Sequence, residues 1–78
     1  MNSRAAEFNR LVQVHLGLTE VQETDRLLED LEAESIDMVN LVADIEDRYG
    51  VTIDDADLVP VSTVRDLWNV VERSMSHE

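Results

Sequence analysis

Few residues of this 78-residue chain have types and spacing that could do chemistry, and Ser35 is the first of them. It stands between two acids, Glu34 and Asp37, at the head of the helix-patterned stretch "SIDMVNLVADIEDRY". A serine at a helix start has two readings. As an N-cap, its hydroxyl accepts a backbone N–H. Alternatively, the free N–H groups and the positive end of the helix dipole favour an anion, so a phosphodiester carried on Ser35 would be well placed. The two histidines, His15 and His77, have neither a nucleophile nor an acid partner nearby in sequence, so no catalytic triad can be assembled. Asp54, Asp55 and Asp57 miss the calcium-loop pattern of alternating acids followed by glycine, and no dedicated metal site is expected. The absence of cysteine excludes a thiolate nucleophile, a cysteine-based zinc site and a disulfide framework.

Charge narrows the partners. Eighteen Asp and Glu against six arginines and no lysine give a formal net charge of -12. Phosphate binding needs a basic stripe, so nucleic acid is not an expected partner. The field instead favours basic protein surfaces. No window approaches the roughly 20 apolar residues of a membrane span, and "MNSRAAEFNR" lacks an apolar signal-peptide stretch. A soluble, unprocessed, cytoplasmic protein without membrane attachment is the expectation.

The elements that must position Ser35 follow from apolar spacing. Ala5, Phe8, Leu11, Val12 and His15 recur every three or four residues and predict a helix from about Ser3 to Leu16, closed by Gly17. "TEVQETDRLLEDLEAE" is acidic and irregular, and reads as a long loop holding at most one helical turn, anchored by Val21, Leu27, Leu28 and Leu31. A second helix is predicted from Ser35 to Tyr49, ending at Gly50. A single turn is expected around Asp55 to Leu58, with Pro60 as a breaker. Ser62 or Thr63 can cap a last helix in which Val64, Leu67, Trp68 and Val71 share a face. The only β-branched run, "VTI", is too short for a sheet. The predicted fold is all-α: a small antiparallel bundle of three main helices plus one short helix, a single domain over 1–78, ordered from about 3 to 73 with 74–78 frayed.

The second helix carries more apolar residues than one buried face requires. Met38, Leu41, Val42, Ile45 and Tyr49 suffice to pack the bundle. Ile36, Val39 and Ala43 form a second, narrower stripe, edged by Asp37, Asn40, Asp44 and Asp47. A central helix could bury that stripe in a wide core face. It could equally present it as a docking strip, apolar for contact and acidic for steering.

At this level of detail "LEDLEAESIDMVNLVADIEDRYGVTI" resembles the signature region of acyl carrier proteins, whose core is Asp-Ser-Leu at the start of the second helix. "FNRLVQVHLGL" is similar to the family's first helix and "VSTVRDLWNVV" to its last, so the resemblance covers most of the chain in the right order. It implies that Ser35 carries a 4′-phosphopantetheine arm, added from coenzyme A by a phosphopantetheinyl transferase, whose thiol holds acyl groups as thioesters. The chain itself would be no enzyme but a freestanding carrier, monomeric, visiting an acyltransferase, ketosynthase or ligase through basic docking patches. The implied partner interface comprises Glu34, Ile36, Asp37, Val39, Asn40, Ala43, Asp44, Glu46 and Asp47. The implied acyl cavity lies inside the bundle, with Leu41, Val42, Ile45 and Trp68 as candidate lining residues and ordinary core as their alternative role.

Three departures from the family pattern bear on partner choice. Glu34 replaces the usual aspartate, Ile36 replaces leucine, and Asn40 and Ala43 stand where fatty-acid carriers usually place glutamate and often methionine. These point away from housekeeping fatty-acid synthesis and toward polyketide-type chemistry. An aminoacyl or peptidyl carrier of a nonribosomal pathway, and a non-carrier helical interaction module with Ser35 as a mere cap, are the alternatives.

Overall fold

A computed structural model describes residues 3–76 as four helices: α1 (Ser3–Leu16), α2 (Ser35–Tyr49), α3 (Asp55–Leu58) and α4 (Val64–Ser76). No strand occurs among the described residues; Arg26 and Thr63 form one isolated antiparallel bridge. His77, set aside as a catalytic group from sequence, lies outside the described residues.

Each helix boundary has a local cause. At the end of α1, Leu18 N–H donates to Gln13 O at 2.9 Å and Gly17 N–H to Val14 O at 3.3 Å. These are the paired bonds of a Schellman motif, and Gly17 supplies the left-handed φ of 66° it requires. Gly50 also ends α2 in the left-handed region, at φ 64°, with its N–H donating to Glu46 O. At the start of α4, Thr63 Oγ1 accepts from Asp66 N–H at 3.1 Å while Asp66 Oδ2 accepts from Thr63 N–H at 3.1 Å. This reciprocal capping box makes Thr63 the cap, one of the two residues expected. The hydrogen bonds from the Thr63 and Ser62 backbone hold the Asp66 carboxyl below the usual range.

The core gathers one face from each long helix: Phe8, Leu11 and Val12 from α1, Leu41 and Ile45 from α2, and Val64, Leu67, Trp68, Val70 and Val71 from α4. Phe8 lies 5.1 Å from Trp68 and Tyr49 lies 5.9 Å from it, centroid to centroid, so an aromatic cluster ties the three helices together. Helix α4 runs to Ser76, through part of the stretch expected to fray, and Met75 packs against the core there.

Residues 17–34 link α1 to α2 and are fastened to the start of α4. Leu27 N–H donates to Ser62 O at 2.8 Å, Val64 N–H to Asp25 O at 3.0 Å, and Arg65 N–H to Glu23 O at 2.8 Å. Between these bonds Leu27 plugs the core and Val21 and Leu31 pack partly against it. Leu28, expected as a further anchor, instead points to solvent. The turn that sends Leu27 inward leaves its neighbour on the outside.

Candidate functional site

Ser35 is not the cap of α2. Glu34 holds that position in an extended conformation (φ -93°, ψ 166°), and Asp37 Oδ2 accepts its N–H at 3.0 Å. Ser35 is therefore the first residue of the helix proper, exposed, and its hydroxyl makes no hydrogen bond among the described residues. That placement matters chemically. With the capping done by its neighbours, the Ser35 hydroxyl is left without a structural task and stands at the positive end of the α2 dipole.

Beside it opens a cleft of about 320 Å³. Its walls are Leu27 and Leu28 from the loop, Met38 from α2, and Leu58 and Val61 flanking the turn after α3, with Arg26, Glu29 and Ser62 adding polar groups. A serine that accepts a phosphodiester and an apolar slot alongside it form one surface. The residues present thus fit a phosphopantetheine arm: an accessible hydroxyl, an anion-favouring helix start, and apolar walls next to both.

The candidate lining residues of an acyl cavity inside the bundle lie apart from this cleft. Leu41, Ile45 and Trp68 are closed into the core, and Val42 is half-buried in a separate cleft between α2 and α3, of about 280 Å³. None of the four borders the cleft at Ser35. Periodicity alone could not reveal this cleft, because its walls come from the α1–α2 loop, α2 and the α3 region, brought together only by tertiary docking.

The predicted interface divides into two groups. Ile36 and Val39 are 59% and 63% exposed, and Ala43 is exposed beside them, so the second stripe is surface rather than a widened core face. Glu34, Asn40 and Asp47 are also exposed. Three other carboxylates are engaged inside the molecule. Asp37 closes the cap on α2. Glu46 Oε2 accepts from Ile53 N–H at 2.8 Å and so pins the segment leading to α3. Asp44 Oδ2 lies 2.8 Å from His15 Nε2 on α1 and 2.9 Å from Arg48 Nε. The His15 hydrogen bond, with Arg48 second, keeps the Asp44 carboxyl below the usual range against partial desolvation. His15, which has no partner near it in sequence, has one 29 residues away.

Sequence reasoning missed Met38 as a wall of the Ser35 cleft, and missed Leu28 and Val59 as exposed apolar side chains near it. The one available signal was a leucine pair in an acidic loop that needed only one of them as an anchor.

The family profile described as phosphopantetheine attachment site matches residues 8–71. An acyl carrier protein of Thermotoga maritima is 40% identical over 80 residues, covering 96% of this chain and 99% of that protein. A crystal structure of an acyl carrier protein from Thermotoga maritima superimposes with a TM-score of 0.78 at 27% identity, over 96% of this chain and 89% of that one. A chain in the structure described as the ishigamide ketosynthase/chain length factor shares the fold, with a TM-score of 0.79 at 14% identity, over 97% of this chain and 99% of that one. With an accessible serine at the start of α2, and a match that spans nearly the whole of a curated relative, this chain belongs to the acyl carrier protein family and has its phosphopantetheine attachment domain.

Proposed function

We propose that Ser35 Oγ is the attachment point of 4′-phosphopantetheine, taken from coenzyme A by a phosphopantetheinyl transferase, and that residues 1–78 act as one carrier domain. The observation that carries this assignment is the unengaged Ser35 hydroxyl, relieved of capping by Glu34 and Asp37 and set beside an apolar cleft. When bound, the group supplies the thiol that the cysteine-free chain lacks and holds acyl cargo as a thioester. The chain's own residues hold the serine outward, stabilise the phosphodiester with the helix dipole, and leave the cleft open beside it.

The protein serves enzymes and is not one itself. Asp44 and its partner His15 sit about nine residues along α2 from Ser35, roughly 14 Å by helical rise, too far to act as base on that hydroxyl. Its working partners are an acyltransferase, ketosynthase or ligase, met in the cytoplasm by a monomeric carrier. The exposed Ile36, Asn40 and Ala43 support polyketide-type biosynthesis over housekeeping fatty-acid synthesis, since they change the contact face while leaving Ser35 untouched. No helix among the described residues is long and apolar enough to cross a membrane.

The test is proteolysis of the loaded protein followed by mass spectrometry of its serine-containing peptides. The modification is expected on the peptide holding Ser35; finding it on Ser3, Ser62, Ser74 or Ser76 would refute the assignment. Cargo is then decided by supplying the loaded protein with a malonyl-transferring enzyme or an amino-acid-activating one. Acceptance of malonyl is expected, and acceptance of the amino acid alone would make this an aminoacyl carrier.

A further inference from the structure

The positive charge of this acidic chain is unevenly placed. Helix α1 has two arginines, Arg4 and Arg10, against one acid, Glu7, and so is net positive in a chain of formal net charge -12. Between α1 and α2 runs a groove of about 510 Å³, lined by Glu7, Arg10, Leu11 and Val14 from α1 and by Arg48 and Tyr49 from α2. Leu11 is buried and Tyr49 half-buried, giving it an apolar floor, while Val14 stands 70% exposed. Arg48 is exposed and bonds Asp44 through Nε, whereas the Arg10 guanidinium has no ion pair among the described residues. Burial and the Glu7 carboxylate raise the Tyr49 phenol above its ordinary range, and Arg48 and Arg4 oppose them, which places a third arginine close to this floor. Other clefts have a different balance. Arg26 is matched by Glu29 beside Ser35, Arg73 by Asp57 or Asp66 along α4, and the cleft between α2 and α3 holds Glu46 and Asp55 with no cation. In the α1–α2 groove the arginines outnumber the acid.

We propose that this groove docks an acidic amphipathic helix of a partner protein, its apolar side chains laid over Val14 and Leu11 and its carboxylates on Arg10 and Arg48. Charge complementarity selects that occupant. A basic segment would meet guanidinium groups here and finds acids over the rest of the surface. A second copy of the chain would set two bodies of net charge -12 against each other. The distant carboxylates do not repel an acidic segment at physiological salt, because charges beyond a Debye length of about 8 Å are screened and the sign of the groove itself decides. The apolar floor supplies contact area, and the guanidinium forks orient the incoming carboxylates. Arg48 lies about 20 Å from Ser35 by helical rise. A partner seated in the groove therefore holds the carrier at one end and leaves Ser35 open at the other, and the inference stands apart from the assignment of Ser35.

The probe is a synthetic helical peptide about four turns long, with leucines at three- and four-residue spacing and glutamates elsewhere. It is titrated into the isotope-labelled full chain at about 0.15 M salt and followed by backbone amide shifts. The largest shifts are expected at Arg10, Val14, Arg48 and Tyr49, with Ser35 and Met38 unmoved. The double variant Arg10→Glu, Val14→Ser should weaken binding about tenfold, and Arg10→Gln alone about threefold, both at unchanged melting temperature. Leu28→Ser, exposed and away from the groove, should bind as wild type does. A lysine counterpart of the peptide should shift α2 residues and leave the groove unmoved. Acidic-peptide shifts that are absent or centred on Ser35, wild-type affinity in the double variant, or a lysine peptide that settles in the groove overturns the proposal.

Discussion

Truncating Leu27 to alanine probes the link between the loop and the core on which the Ser35 cleft depends. Leu27 is 2% exposed and is the one residue of the α1–α2 loop in the closed core besides Ala33. Leu→Ala changes in cores cost about 2–5 kcal/mol, the larger values where the void cannot collapse. Leu27 also borders the cleft at Ser35, so the space it vacates opens to solvent and the neighbouring Leu28 and Met38 can move toward it. The lower part of the range, about 2–3 kcal/mol, is therefore expected. For a chain of this length total stability is roughly 4–12 kcal/mol, so the loss is a large fraction of it. The melting temperature should fall by about 10–20 °C. Urea unfolding followed by the fluorescence of Trp68, the sole tryptophan, measures this directly, and Leu28→Ala, at an exposed site, should stay within about 0.5 kcal/mol of wild type. A cost below about 1 kcal/mol for Leu27→Ala at unchanged m-value would refute the claim that this leucine fastens the loop.

Asp66→Ala removes half of the capping box on α4 and should cost about 1–2 kcal/mol in the same urea assay, whereas a neutral result would mean that the box does not stabilise the helix. Asp44 and Asp66 both have folded pKa values below their unfolded ones, so their contribution is complete above the unfolded value of about 3.9 and is lost as pH falls through the folded values. The urea midpoint should therefore drop as pH falls below about 5, and drop less in an Asp44→Asn, Asp66→Asn variant; equal drops in both proteins would count against those two carboxylates.

The helices were legible in the sequence because their signals are local. Apolar spacing marked α1, α2 and α4, and Gly17 and Gly50 marked two ends where a left-handed residue closes the helix. Even the one-turn α3 was visible, as a gap between an extended "VTI" and Pro60. The start of α2 at Ser35 was legible too. Its cap was not: a serine is the commoner N-cap, and only the Glu34–Asp37 geometry shows that the cap lies one residue earlier.

Contacts made by loops over long separations left no pattern to read. The His15–Asp44 pair spans 29 residues, and the backbone bonds from Leu27, Val64 and Arg65 lash the loop to α4 through atoms that every residue possesses. For that reason the cleft at Ser35, walled by Leu27, Leu28, Met38, Leu58 and Val61, could not be read from the pattern, whereas the interior candidates Leu41, Val42, Ile45 and Trp68 could. Likewise, spacing places Asp37, Asp44 and Glu46 on α2 but cannot show that each accepts a hydrogen bond within the molecule.

The central claim is that Ser35 is free to be modified because it does no structural work. It is tested by the intact mass of wild type and Ser35→Ala after incubation with coenzyme A and a phosphopantetheinyl transferase, with urea unfolding of both alongside. The account predicts a gain of one phosphopantetheine in the wild type, none in the variant, and stabilities within about 0.5 kcal/mol of each other. A wild type without the gain, or a variant that still takes up the group, would contradict it, as would a variant destabilised by the full cost of a lost cap, about 1 kcal/mol or more.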